Sequence, residues 1–95
     1  MEREELIKKA ELLKAIANPV RLCLITKLMN IDEANVTYFT NCMEVTQSCV
    51  SQHLAKLRSL NILGYRKDGQ NVYYFLKDET VKKIVRALYM EEKHG

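Results

Sequence analysis

The sequence predicts a mainly α fold with one small β-hairpin: five helices, with a two-stranded hairpin between the fourth and the fifth. Three observations predict it. Apolar residues recur at helical spacing in five separate runs. Asn18, Thr46 and Asp78 stand where helices begin, and their side chains suit the N-cap. Between Ile62 and Leu76 the pattern shortens to two runs of aromatic and branched residues joined across Asp68-Gly69, a hairpin-turn signal.

The first helix spans about Glu4 to Ala17. Its Leu6, Ala10, Leu13 and Ala17, widened by Ile7, Leu12 and Ile16, form a stripe broader than a surface helix needs, so this face requires a partner. Asn18-Pro19 ends it and starts another, with Asn as the cap and Pro at the first helical position, where a missing N–H costs nothing. The second helix, about Pro19 to Met29, is apolar around most of its circumference and is expected at the centre. Asn30 to Asn35 reads as a polar loop. Val36 to Met43 reads as a short helix showing Val36, Phe39 and Met43 on one side. Glu44-Val45 then turns the chain into a helix from Thr46 to Leu60, in which Val50, Leu54 and Leu57 make one apolar stripe. Two helices joined by so short a turn make a helix-turn-helix over residues 36–60. The hairpin over 62–76 is its wing, and Asp78 caps a last helix, about Glu79 to Glu91, with Val81, Ile84, Val85 and Leu88 on its apolar face.

Within the Thr46–Leu60 helix the other faces are small and polar. Thr46, Gln47, Ser48, Ser51 and Gln52 place hydroxyls and amides where they could reach base edges, while Lys56 and Arg58 follow as phosphate partners. Arg66, Lys67, Gln70 and Asn71 are expected at the wing tip, against neighbouring phosphates or the minor groove. Charge placement agrees. Residues 1–17 balance four acids with four bases, whereas residues 46–77 hold five bases and one acid; the whole chain carries +3.

Ninety-five residues make a single domain, and a chain of that size buries only roughly 60–65% of its unfolded surface, so a dimer interface is expected. Residues 1–17 and 78–92 are the expected dimerisation helices. The sequence has 47% hydrophobic and 28% charged residues and no low-complexity run, which excludes a disordered chain. No stretch is long and apolar enough for a membrane span, and the amino terminus lacks a secretory core, so a cytoplasmic protein with reduced cysteines is expected. Three cysteines without a Cys-x-x-Cys indicate neither a disulfide framework nor a zinc ribbon.

With these residues in place the chain resembles the ArsR/SmtB family of winged-helix repressors. The resemblance rests on Leu13-Lys14-Ala15-Ile16-Ala17-Asn18-Pro19-Val20-Arg21-Leu22, on Val50-Ser51-Gln52-His53-Leu54 with Leu57-Arg58, and on Asp68-Gly69-Gln70 followed by Val72-Tyr73-Tyr74; it runs over about Lys8 to Leu88. It implies a homodimer, with the first and last helices at the interface, that binds double-stranded DNA at an imperfect inverted repeat and is released by an inducer. The departures bear on that inducer. Asn35 and Thr37 stand where soft-metal sensors of the family carry Cys-x-Cys. Asp78, Thr80, Glu91 and His94 stand at the spacing of its last-helix zinc or nickel site, leaving Asp78, Glu91 and His94 as a depleted ligand set. Zinc or another soft metal is therefore a weak cofactor candidate. Glu44 replaces the family's usual turn glycine and is expected to adopt a positive φ.

Cys23, between Leu22 and Leu24, reads as a buried small hydrophobe. Cys42 ends the short helix and Cys49 opens the reading helix, whose N-terminus favours a thiolate. These two cysteines are the effector candidates, through a disulfide, a polysulfide bridge or arsenite capture, with zinc held by Cys42, Cys49 and His53 as the alternative. His53 also fills the family's ordinary histidine slot and reads as structural. Three functions compete: a DNA-binding repressor, a protein-interaction module without DNA binding, and an enzyme using Cys49 with His53. The last lacks an orienting acid and an oxyanion-forming loop.

Overall fold

The computed structural model describes residues 2–90. The chain runs α1 (Arg3–Ile16), α2 (Pro19–Asn30), α3 (Val36–Cys42), α4 (Gln47–Ser59), β1 (Leu63–Asp68), β2 (Asn71–Leu76) and α5 (Glu79–Met90). Five helices and a two-stranded antiparallel hairpin therefore appear in the expected order, as a winged helix-turn-helix.

Local capping chemistry sets most boundaries. Asn18 Oδ1 accepts from the amides of Val20 and Arg21, both at 3.0 Å, ahead of Pro19. Asn35 Oδ1 accepts from Tyr38 N–H at 2.9 Å, Thr46 Oγ1 from Cys49 N–H at 3.1 Å, and Asp78 Oδ1 from Val81 N–H at 2.9 Å. The end of α4 uses a different device. Asn61 takes the left-handed conformation, φ 60°, so that its amide reaches Arg58 O and the Ile62 amide reaches Leu57 O, each at 3.0 Å. This closes a Schellman motif, and the fully buried Leu57 and Ile62 accompany it. Glu44 has no positive φ, contrary to expectation; among the described non-glycine residues Asn61 alone does. The four-residue link from Met43 to Thr46 reaches α4 without a left-handed residue.

One core joins the elements. α2 touches α1, α4, β2 and α5, and contributes Leu24, Ile25 and Leu28. Phe39 of α3, then Val50, Leu54 and Leu57 of α4, Ile62 and Leu63 at the wing base, and Val81 and Val85 of α5 complete it, each at most 2% exposed. Cys23 is only half-buried, a correction to its expected place in the core: it lies on the flank of α2 away from Leu24, Ile25 and Leu28. In α1 only Ala15 and Ile16 are buried, so most of its apolar stripe stands open.

The hairpin pairs Leu63 with Leu76 through to Asp68 with Asn71. Its two loop residues are Gly69 and Gln70 rather than Asp68 and Gly69, and Gly69 supplies the positive φ of 63° that a tight hairpin needs at its first loop position. Gly64, opposite Phe75, lies under that ring; a Cβ there would meet Cζ at 2.4 Å. The 30–35 segment is more than a polar loop. Ala34 is buried and exchanges both backbone hydrogen bonds with Tyr74, at 2.9 and 2.8 Å, forming an isolated bridge on the free side of β2.

Candidate nucleic-acid interface

The face of α4 opposite the core is the interface candidate. Because Val50, Leu54 and Leu57 are fully buried, the helix cannot roll, and Thr46, Gln47, Ser48, Ser51 and Gln52 are all exposed. Among the described residues none of the side chains of Gln47, Ser48, Ser51 and Gln52 is engaged in a hydrogen bond within the chain, which leaves their donors and acceptors open. Lys56 and Arg58 are exposed on the same helix. Arg58 also reaches back to the hairpin, its guanidinium 4.5 Å from the centre of the Tyr65 ring.

At the wing, Lys67, Gln70 and Asn71 lie exposed about the turn. Arg66 does not sit with them. It pairs with Tyr73 in the third pair back from the loop, and its guanidinium is already occupied: Nε donates to Glu33 Oε2 at 2.8 Å and Oε1 at 3.0 Å, and Nη2 also donates to Oε1. The guanidinium further lies 4.6 Å from the Tyr73 ring centre. Hydrogen bonding from Arg66 holds the Glu33 carboxyl below its ordinary range, and the carboxylate raises Arg66 in turn. Sequence reasoning missed Glu33, because the 30–35 segment carries no periodicity and its partner lies 33 residues away.

Cys42 is exposed, with Sγ donating to Tyr38 O at 2.8 Å, while Cys49 is half-buried in the first turn of α4. His53 Nδ1 lies 3.3 Å from Nη1 of Arg21, whose Nε donates to Ala15 O at 2.7 Å. A guanidinium only donates, so His53 accepts there and helps tie α4 to α2 and the end of α1. Cys42, Cys49 and His53 do not form the expected alternative zinc cage: among the described residues no three His, Cys, Asp or Glu side chains gather at a metal-binding distance. Asp78 caps α5 through Oδ1. Glu91 and His94 lie outside the described residues.

A separate apolar surface runs along the end helices. Leu6, Leu13 and Leu88 are 53–55% exposed and Ile7 is 48% exposed, and a groove of about 460 Å³ between α1 and the start of α5 is lined by Leu12, Leu13 and Ile84. No helix among the described residues is long and apolar enough to cross a membrane.

Residues 18–65 match the family model described as "Bacterial regulatory protein, arsR family". The nodulation protein NolR of Rhizobium meliloti is 39% identical over 79 residues, covering 83% of this chain and 64% of that protein, so the chain spans somewhat under two thirds of that relative. The transcriptional repressor PagR of Bacillus anthracis is 37% identical, with 83% and 79% covered. The solved structure of HlyU from Vibrio cholerae N16961 superposes with a TM-score of 0.84 at 37% identity, covering 94% of this chain and 95% of the other; the curated V. cholerae protein is named as a transcriptional activator.

Proposed function

This chain belongs to the ArsR family of bacterial regulatory proteins, a family of DNA-binding transcriptional regulators, and on that premise we propose that it acts as a homodimeric repressor that leaves its operator when an inducer reacts. The observation that carries the reading is the two-sided α4. One side is locked into the core by three fully buried residues, and the other exposes the amides and hydroxyls of Gln47, Ser48, Ser51 and Gln52, groups that can hydrogen-bond base edges. Thr46, Gln47, Ser48, Ser51 and Gln52 are assigned to the major groove, Lys56 and Arg58 to phosphates, and Lys67, Gln70 and Asn71 to the backbone or minor groove beside it. Repression is favoured by PagR, whose name states it; HlyU is named an activator, so the sign of control belongs to the test.

Dimerisation through residues 1–17 and 78–92 is supported by the open leucines of α1 and α5. A two-fold dimer calls for an inverted repeat with half-sites about one helical turn apart. The whole chain, 1–95, serves as one cytoplasmic winged-helix unit without catalytic function; His53, the general base of the enzyme reading, is instead held by Arg21. An electrophoretic shift of duplex from the protein's own upstream region, at low and then rising salt, tests the reading. A folded dimer that shifts no duplex at low salt would instead favour a protein-interaction module.

For the inducer, Cys42 and Cys49 are the assigned thiols. They bracket the link that sets the angle of α4, and Cys42 is open to solvent. Peroxide would take two electrons from the two thiols to give a disulfide and two waters, whereas arsenite would condense with both and lose water.

A further inference from the structure

The wing carries a basic residue that the surface reading counts toward phosphate, yet its guanidinium is taken. Arg66 grips the Glu33 carboxylate through three donor–acceptor contacts while stacking over Tyr73. The next residue along, Ala34, is stitched to Tyr74 by two backbone hydrogen bonds, and Asn35 caps α3. Glu33, Ala34 and Asn35 thus connect three things in consecutive positions: the wing's charged stem, the wing's backbone, and the start of the helix-turn-helix. We propose that the Glu33–Arg66 pair is a clamp that sets the pitch of the wing against the reading helix, which makes Glu33 a positioning residue for operator recognition and removes Arg66 from the phosphate contacts.

The proposal rests on the DNA-binding reading and adds an electrostatic consequence. A guanidinium neutralised by a carboxylate brings no net charge to the DNA, so it releases no counterion on binding. The base of the hairpin is fixed by the buried Ile62, Leu63 and Leu76, whereas farther along β2 the bridge ties the backbone at the single position Ala34–Tyr74. The bidentate contact one residue away from the bridge supplies a second constraint. Side-chain exposures of 49% for Arg66 and 31% for Glu33 put the pair in contact with solvent, so its effect is of the size of a surface ion pair and falls with salt.

The test uses the full chain and a duplex selected by the wild-type protein from a randomised pool. If the wild type enriches no sequence, the DNA-binding reading itself fails, independently of the clamp. Given an enriched duplex, Glu33→Gln should weaken it about two- to five-fold while binding to unrelated duplex barely changes, and Arg66→Ala should leave the salt slope unchanged. The exchanged pair, Glu33→Arg with Arg66→Glu, should recover most of the preference. Were Arg66 a masked phosphate contact, Glu33→Gln would tighten all sequences and steepen the slope by about one, and the clamp would be overturned. It would also be overturned if both single variants, checked as folded by circular dichroism, lost preference and the exchanged pair restored none.

Discussion

Replacing Leu88 by aspartate should split the proposed dimer, and the exposures in the single chain set the size of the effect. Leu88 is 55% exposed on the single chain, as are Leu13 at 55% and Leu6 at 53%, with Ile7 at 48%. Burying a leucine completely contributes about 1.5–3 kcal/mol, so covering the open half of each contributes about 1 kcal/mol. Four such residues, each counted twice by two-fold symmetry, supply about 8 kcal/mol against the cost of association. Leu88→Ala removes about 2 kcal/mol across both protomers, roughly a thirty-fold weaker dimer. Leu88→Asp removes the same apolar term and sets two carboxylates in the seam without partners, so the dissociation constant should rise by about a thousand-fold or more. Sedimentation equilibrium over a concentration series reads this directly. The reasoning is refuted if Leu88→Asp sediments as a dimer with the wild-type constant, or if the wild type is monomeric at concentrations where Leu88→Asp is.

Gln52→Ala should relax sequence preference at one operator position at a cost of about 1–3 kcal/mol, whereas Lys67→Ala should weaken all duplexes alike and lower the salt slope by about one; salt-dependent binding isotherms separate the two. Cys42→Ser and Cys49→Ser should each abolish release of bound DNA by arsenite or peroxide, with mass spectrometry reporting the adduct; release like wild type in both variants rejects the thiol assignment. Gly64→Ala should lower the thermal midpoint, because the new methyl collides with the Phe75 ring, and Phe75→Leu in the same chain should recover part of the loss. Since the Glu33 carboxyl is depressed by Arg66, its stabilisation is complete above the ordinary carboxylate range and is lost as pH falls through the depressed value. The difference in thermal midpoint between wild type and Glu33→Gln should therefore close in acid.

Much of the fold was legible because its signals are local. Asn18 before Pro19, Thr46 before the Val50–Leu54–Leu57 stripe and Asp78 before Val81 each act within three or four residues, and a reader of the sequence sees the whole interaction. The exposed face of α4 was legible for the same reason, since fixing one stripe fixes its opposite. Glu33 and Ala34 were not. Their partners, Arg66 and Tyr74, lie 33 and 40 residues away, and within a short acidic segment neither shows a period that would predict pairing. The position of the left-handed residue was misplaced by a different limit. Glycine is the usual residue in the left-handed position, so a family glycine replaced by Glu44 suggests a strained turn before α4, whereas Asn61, the next most tolerant residue type, carries the left-handed turn after it.

The Ala34–Tyr74 bridge also bears on how this protein behaves when crowded. A two-stranded hairpin has two open edges, and each can template pairing with another chain. Ala34 covers part of the β2 edge, whereas among the described residues β1 has β2 as its one strand partner. That strand reads Leu-Gly-Tyr-Arg-Lys-Asp, with a glycine near its start and three consecutive charged residues at its end. Edge-to-edge stacking of two wings would bring like charges together in an in-register parallel pairing, and the glycine weakens the strand's own tendency to extend. Removing the positive charges from the wing, as tests of DNA contact require, therefore also strips protection from an exposed strand. Such variants should be compared for turbidity on concentration before a loss of binding is read as a loss of contact.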